Sequence, residues 1–452
     1  MNRRRVWGWY FFDWASQPFH TLLVTFVFGP YFVSIAQASF RASGAAEDVA
    51  KADAQGLWSL GLLLTGLIIG LGAPLLGAFA DTTGRRTPWI AAFSVMYVIG
   101  AAGLWWVLPD GSNLTWALVF FGLGFIGAEY ALIFTNAQLP RLGNRQDIGR
   151  LSGSGFAFGY LGGLISLVLA LLLFVEQPNG LTVAGLAPVL GLDPAEREGT
   201  RFIGPLVALW FAVFMIPYFL WVREEPKRLS NATVAGAIGS LKRSVAALRF
   251  RRSLAAYLGG SMLYRDALNG LYGFGGTYAT LVLGWEIARV GVFGIISVIS
   301  AAVFSFIGGR LDRRLGPKPV VVVCIVLLCA VCLLILSTTP RAVMGMAVQP
   351  GSNLPDTIFL ACGVLIGGLG GTLQASSRSL MVRHADPHRP TESFGLYGLT
   401  GRATAFLAPM LIGAATVATD SVRAGIAPLI LLFILGLILL IWVKPDGDRA
   451  VS

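Results

Sequence analysis

The sequence predicts an all-α membrane protein with twelve transmembrane helices in two pseudo-symmetric six-helix bundles. Three observations predict it. Hydrophobic residues make up 55% of the 452-residue chain and charged residues only 13%, well below the ~25% charge of a soluble domain. Several apolar runs exceed the roughly 18 residues needed to cross a bilayer. Two stretches, Gly77-Ala78-Phe79-Ala80-Asp81-Thr82-Thr83-Gly84-Arg85-Arg86 and Gly308-Gly309-Arg310-Leu311-Asp312-Arg313-Arg314-Leu315-Gly316-Pro317-Lys318, lie 231 residues apart and repeat each other. Each follows an apolar run, places Gly four residues before Asp and closes on a basic turn. A repeat at half the chain length of a membrane protein points to a transporter built from two related bundles.

Apolar runs place the spans at about 8–38, 56–80, 88–108, 115–138, 150–175 and 202–222, then 253–283, 288–309, 318–337, 357–382, 391–418 and 424–443. The expected organisation is a bundle at 1–222, a cytoplasmic loop at 223–252 and a second bundle at 253–452. In the loop, Val245 to Phe250 with Lys242, Arg243 and Arg251 reads either as an amphipathic helix on the anionic inner leaflet or as a solvated linker. Two outer loops, 176–201 and 338–356, are longer than a hairpin needs, and the apolar Leu181–Leu192 stretch of the first reads as a segment dipping toward the membrane.

The net charge of +11 follows topology. Of 34 Lys and Arg, 25 fall in segments that alternate helices place on one side, seven on the other, and Arg265 and Arg402 lie inside spans. This is the positive-inside rule, and it sets both termini in the cytoplasm; a nucleic-acid surface is disfavoured. Cys324, Cys329, Cys332 and Cys362 all lie within spans, so no disulfide or zinc spacing is expected. The run after Met1–Arg5 contains Asp13 and is too long for a signal peptide, so it reads as a retained helix. Gly155, Gly159 and Gly163 share a face of span five, and Gly363, Gly367 and Gly371 a face of span ten, as close helix packing requires.

A charged group inside the bilayer costs about 2.5–3.5 kcal/mol on insertion scales, so each one needs a reason. Asp13, Gln17 and His20 follow one another at i, i+4 and i+7 in span one, interrupted by Pro18, which frees a backbone carbonyl. They read as a proton or substrate site, or as a structural Asp at a helix start. Glu129 lies about 21 Å along span four, near mid-membrane, with Asn136 on its face. Asp266 has a comparable depth in span seven with Asn269 on its face, and Arg402 is midway in span eleven. Arg402 facing a carboxylate suits a zwitterion such as an amino acid, though mutual neutralisation fits the same residues. A buried carboxylate is also a proton carrier, so Asp13, Glu129 and Asp266 are candidates for proton coupling. In the repeated loops, Asp81 and Asp312 end their helices where a carboxylate bonds the free N–H groups of a neighbouring helix start. Gly77 and Gly308 let that neighbour approach. Gly84, Arg85, Arg86, Arg313 and Arg314 complete the turns, and together these residues read as a cytoplasmic gate.

Twelve spans and Gly-x-x-x-Asp loops after spans two and eight resemble the major facilitator superfamily. Within it the chain is similar to the vacuole-effluxer-like family, whose eukaryotic members export amino acids during autophagy. The matching stretches are Tyr10–Ala15, Asn136–Pro140, Ser152–Gly163, Tyr264-Arg265-Asp266, Gly370–Ser379 and Phe394–Thr404. Ser16 stands where the family tends to have Asn, and Arg402 where it often has Lys. The resemblance implies a monomeric secondary transporter of the bacterial inner membrane that rocks about a site between spans one, four, seven, ten and eleven. Asp13, Glu129, Asp266, Gln374 and Arg402 are its first candidates. Expected partners are a small solute, the bilayer and protons, with no cofactor, metal or nucleic acid. No GxxxxGK[ST] loop is present for ATP. An integral-membrane enzyme would need clustered catalytic groups, and only His384 and His388 come close. A non-transporting scaffold on the same fold is the remaining alternative.

Overall fold

The computed structural model describes residues 2–224, 234–349 and 352–448. Residues 225–233 of the expected central loop, with Glu225 and Pro226, lie outside them. The first half holds α1 (Arg3–Ala42), α2 (Glu47–Thr83), α3 (Thr87–Trp106), α4 (Leu114–Arg141), α5 (Arg145–Leu173) and α6 (Glu198–Trp221). The second holds α7 (Arg252–Leu281), α8 (Arg289–Leu315), α9 (Pro317–Leu336), α10 (Leu354–His384), α11 (Pro390–Thr419) and α12 (Val422–Leu440). Among the described residues, eleven are long and apolar enough to cross a membrane. The twelfth, α7, has 30 residues, but Arg265, Asp266 and Asn269 dilute its apolar character.

Local chemistry explains the irregularities. Pro18 has no N–H and its ring displaces the carbonyl four residues back. That carbonyl, on Trp14, accepts the Trp210 indole N–H at 3.2 Å, and the chain continues from Phe19 to Phe26 as a π-helix. The α2–α3 turn closes on Gly84 at φ +72° and the α8–α9 turn on Gly316 at φ +85°, a left-handed conformation that glycine adopts without strain. Inside α11 the helix stops at Ala403 and resumes at Leu407.

The loops carry structure of their own. A helix does form in the central loop, at Val234–Ala247, so Val245–Phe250 covers only its last turn and the turn after it. Leu181, Val183, Leu186 and Leu190 are exposed. Span six begins earlier than expected because Glu176 accepts the Thr200 amide at 3.0 Å and its hydroxyl at 2.5 Å, stabilising the helix start. The 338–356 loop carries three two-residue antiparallel strands.

By contacts the chain forms two compact units. One gathers Met1–Gly72, Gly84–Thr135 and Phe158–Leu229. Its core is aromatic: the Phe19 and Phe125 rings stack 5.9 Å apart, and Trp58 meets Phe121 at 4.7 Å. The Trp9 indole donates to the Thr135 carbonyl at 3.0 Å and Tyr130 to the Ile68 carbonyl at 2.6 Å. The other unit gathers Ala73–Thr83, Asn136–Ala157 and Ser230–Ser452. Here small residues set the packing, as expected for helices in lipid. Gly363 faces the Phe293 ring, Ser297 and Ser300 donate to the Gly363 and Val364 carbonyls at 3.1 and 2.6 Å, and Thr372 donates to Phe304 at 2.9 Å. At Gly309 a Cβ would stand 2.8 Å from the Gly149 carbonyl oxygen and 2.9 Å from the Gly153 Cα. Both obstacles are backbone, so no side chain can yield. Gly309→Val is expected to destabilise by about 1–3 kcal/mol, read as a lower melting temperature of the detergent-solubilised protein, whereas Gly273→Ala, with no heavy atom near its Cβ, is expected to leave it unchanged.

Candidate functional site

In the second unit, the end of α2 meets the start of α11. Asp81 Oδ2 accepts the Glu392 amide at 2.8 Å. Glu392 is the third residue of its helix, so its N–H has no intrahelical partner, and the carboxylate also meets the positive end of the helix dipole. Glycine permits the approach: a Cβ on Gly77 would lie 2.6 Å from the Thr391 carbonyl oxygen, and one on Gly395 would lie 2.8 Å from Pro74 Cα. The second repeat makes a related contact. Asp312 is 1% exposed, and its carboxylate lies where a Gly149 side chain would be, in the first turn of α5. Ser379 donates to Asp312 Oδ1 at 3.4 Å, while Oδ2 meets no hydrogen-bond partner among the described residues. Gly308 packs on Thr372. Arg313 stands 3.6 Å from Asp147, and Arg314 is exposed.

Beside these contacts lies Arg378, part of a family-matching stretch but not among the site candidates from sequence. Arg378 is 2% exposed. Its Nε donates to Ser152 Oγ at 2.9 Å, Nη2 to the Ser152 carbonyl at 2.8 Å and Nη1 to Asn136 Oδ1 at 3.1 Å, and its guanidinium covers the Phe156 ring at 4.2 Å. Asn136, a site candidate from sequence, is therefore part of the Arg378 cradle. Next along α10, Ser377 Oγ gathers the hydroxyls of Tyr257 (3.1 Å), Tyr264 (2.5 Å) and Tyr397 (2.9 Å). Arg265 lies over the Tyr397 ring at 4.2 Å and donates to its carbonyl at 3.1 Å. Tyr264, Arg265, Ser377 and Tyr397 lie in the stretches that carry the family resemblance, but local pattern does not show that they meet, because they come from α7, α10 and α11.

Asp266 stands at the break in α11. Its Oδ2 accepts the Ala408 amide at 3.0 Å, in the first turn of the resumed helix, and Oδ1 meets no hydrogen-bond partner among the described residues. Asp266 and Asn269 line a cavity of about 410 Å³ with Phe274, Thr277 and Ile412. Arg402 is half-buried in the last turn before the break, and Gln374 is half-buried on α10.

In the first unit, Asp13 and Gln17 lie against α5: their Cβ and Cγ would stand 3.4 and 2.8 Å from side chains built on Gly159 and Gly163. His20, beyond the Pro18 interruption, reaches α4 instead, with Nε2 3.6 Å from Glu129 Oε1 and its ring edge-on to Phe125. The structure thus divides the stripe expected at 13, 17 and 20 between two neighbours. Arg86, expected in the gate, is 5% exposed and pairs with Glu224 at 3.7 Å. Glu224 Oε2 also accepts the Arg86 and Thr87 amides at 2.6 and 2.9 Å, so it closes the start of α3. Arg85 is exposed.

Residues 1–450 match the family described as "Vacuole effluxer Atg22 like". The chain belongs to the Atg22-like family. Among relatives of this Atg22-like protein, an MFS-type transporter of Bacillus subtilis named YxiO is 23% identical over 98% of this chain and 96% of its own. Autophagy-related protein 22-1 of Aspergillus niger is 26% identical over 66% of this chain and 48% of its own; the Atg22-like chain spans about half the length of such fungal relatives. Its fold is that of the major facilitator superfamily, and it is a multi-pass membrane transporter. It superposes on the proton:xylose symporter XylE with a TM-score of 0.72 at 11% identity, covering 96% of this chain and 94% of that one. The E. coli fucose:proton symporter FucP gives 0.69 at 15% identity, over 98% of both chains.

Glu224 lies outside the spans and makes the Arg86 pair testable. Burial pushes its carboxyl up, but the Thr87 and Arg86 amides and the Arg86 guanidinium outweigh burial and hold the pKa below its ordinary 4.5. A depressed folded-state pKa contributes stability that is fully present above the unfolded value and lost as pH falls through the folded one. Glu224→Gln is expected to lower stability by about 1–3 kcal/mol at pH 7. Melting temperatures of the two proteins should converge as pH drops through and below the ordinary carboxylate value; a gap independent of pH would contradict the assignment.

Proposed function

We propose that this transporter carries a small zwitterionic solute, an amino acid or close relative, across the bacterial inner membrane by alternating access coupled to protons, as a monomer with both termini cytoplasmic. The observation that carries the reading is Glu129, held 3.6 Å from His20 midway along α4. A carboxylate and an imidazole at that depth each cost several kcal/mol, and facing each other they form a pair through which a proton can pass.

The remaining geometry supports separate roles. Asp266 offers one carboxylate oxygen beside a cavity, as an ammonium group needs, and Arg402 supplies the fork that a carboxylate needs. The Asp81–Glu392 and Asp312–Gly149 contacts act as a cytoplasmic latch, with Arg378 fixing the Asn136–Phe156 segment against α10. The family description, a vacuole effluxer, supports export of a solute, and the names of XylE and FucP support proton coupling within the fold.

Proteoliposomes test this reading. With radiolabelled amino acids, an imposed pH gradient is expected to drive uptake by the wild type. Glu129→Gln should reduce gradient-driven uptake at least about tenfold while leaving solute counterflow, which needs no net proton movement. Uptake that ignores the gradient, with Glu129→Gln fully active, would sink proton coupling. No counterflow with any amino acid would sink the substrate class.

A further inference from the structure

Among the described residues, the helix at Val234–Ala247 buries one face. Ala237 and Ser240 are buried. Ser240 Oγ donates to Glu392 Oε2 at 2.9 Å and accepts from Arg389 Nη1 at 2.9 Å. Glu392 is the residue whose amide Asp81 holds, so the helix is pinned on the start of α11 where the end of α2 is also pinned.

Its other face is exposed and mixed in character. Ile238 and Val245 are 40% and 51% exposed, with Lys242, Arg243 and Arg249 exposed around them. Phe250 follows at 75% exposure, with the Arg249 guanidinium 4.6 Å from its ring. From Val234 to Arg252 the chain carries five cations and no acidic residue. Only residues 248–251 separate this helix from α7, a reach of at most about 14 Å, so the face stays at the depth where α7 enters the membrane. Isolated cations would suit an acidic protein equally well. Interleaved apolar side chains with long cationic stems suit the boundary between head groups and acyl chains.

We propose that this face binds the head groups of anionic phospholipid, and that lipid held there keeps the start of α11 closed on Asp81 through Ser240. The second part rests on the latch reading given above; the first does not.

The experiment uses the full chain in nanodiscs of phosphatidylcholine with or without phosphatidylglycerol. Native mass spectrometry reads retained phosphatidylglycerol, and hydrogen exchange reads residues 390–396. In the wild type, phosphatidylglycerol is expected to be retained and to slow exchange in that segment. Combining Lys242→Glu, Arg243→Glu and Arg249→Glu should cut retention at least about tenfold and abolish the slowing. If that variant does not fold, Phe250→Ser with Lys242→Gln takes its place, with a smaller loss in the same direction. Ser240→Ala should keep the lipid and lose the slowing. Wild-type retention in the charge variants would overturn the lipid surface. Slowing that persists in Ser240→Ala, or retention without slowing in the wild type, would overturn its link to α11. Neither readout involves the transported solute, so a failure of the transport reading registers separately.

Discussion

Every helix start leaves backbone N–H groups without partners, and where the start is buried water does not satisfy them. This chain meets that constraint by placing a carboxylate from a distant segment on one helix start after another. Glu224 closes α3, Glu176 closes α6 and Asp448 accepts the Ser253 and Leu254 amides at the start of α7, both at 3.1 Å. Asp81 takes the start of α11 and Asp266 the start of its resumed half. In none of the α-helices that begin at Thr87, Glu198, Arg252, Pro390 and Leu407 does the N-cap side chain supply its own cap. Acids that would be a liability in an apolar setting are thereby used as connectors between helices.

α11 concentrates the consequence. One of its caps sits at Glu392 and the other at Ala408, 16 residues apart, which is about 24 Å of helix. A helix interrupted between two removable caps is suited to two arrangements, because losing either carboxylate frees one half without unfolding the other. Arg265, stacked on Tyr397, and the three tyrosines on Ser377 hold the part between the caps. Interhelical hydrogen bonds in membranes are worth only about 0.6 kcal/mol each on average, so such a cluster gains rigidity from number and geometry and not from any single bond.

How much of this the sequence makes legible depends on where the partner lies. Gly77 with Asp81 and Gly308 with Asp312 are local patterns, and they predict a carboxylate and a close backbone approach at a helix end. Pro18 likewise predicts a freed carbonyl, and Trp14 supplies it. Which helix start receives Asp81 is beyond local pattern, since Glu392 lies 311 residues away. The Glu224 cap on α3 spans 137 residues, and the Arg378 cradle spans 226 and 242; each looks like an ordinary charge beside a span. The face shared by Gln17 and His20 assumed a regular helix, and the π-helical segment redirects the second residue toward Glu129. The break in α11 does leave a trace, since Pro409 has no N–H for the Ala405 carbonyl four residues back, but nothing local says that Asp266 takes the Ala408 amide.

The two repeated acids, alike in sequence, are not equal in the fold. Asp81 is half-buried and holds a good amide bond at 2.8 Å. Asp312 is almost fully buried, receives a long contact from Ser379 at 3.4 Å and leaves one oxygen without a hydrogen bond among the described residues. An unsatisfied buried acceptor costs about 1–3 kcal/mol, and more when charged. The contact at the start of α5 is therefore the less favourable of the two, although Gly149, Gly153 and Gly309 allow an approach as close as Gly77 and Gly395 allow on the α11 side. Close apolar packing holds that side while electrostatics oppose it, and on the α11 side packing and electrostatics agree. Duplication explains why both acids are present. The difference in their surroundings means that two acids alike in sequence hold their neighbouring helices by different balances of packing and charge.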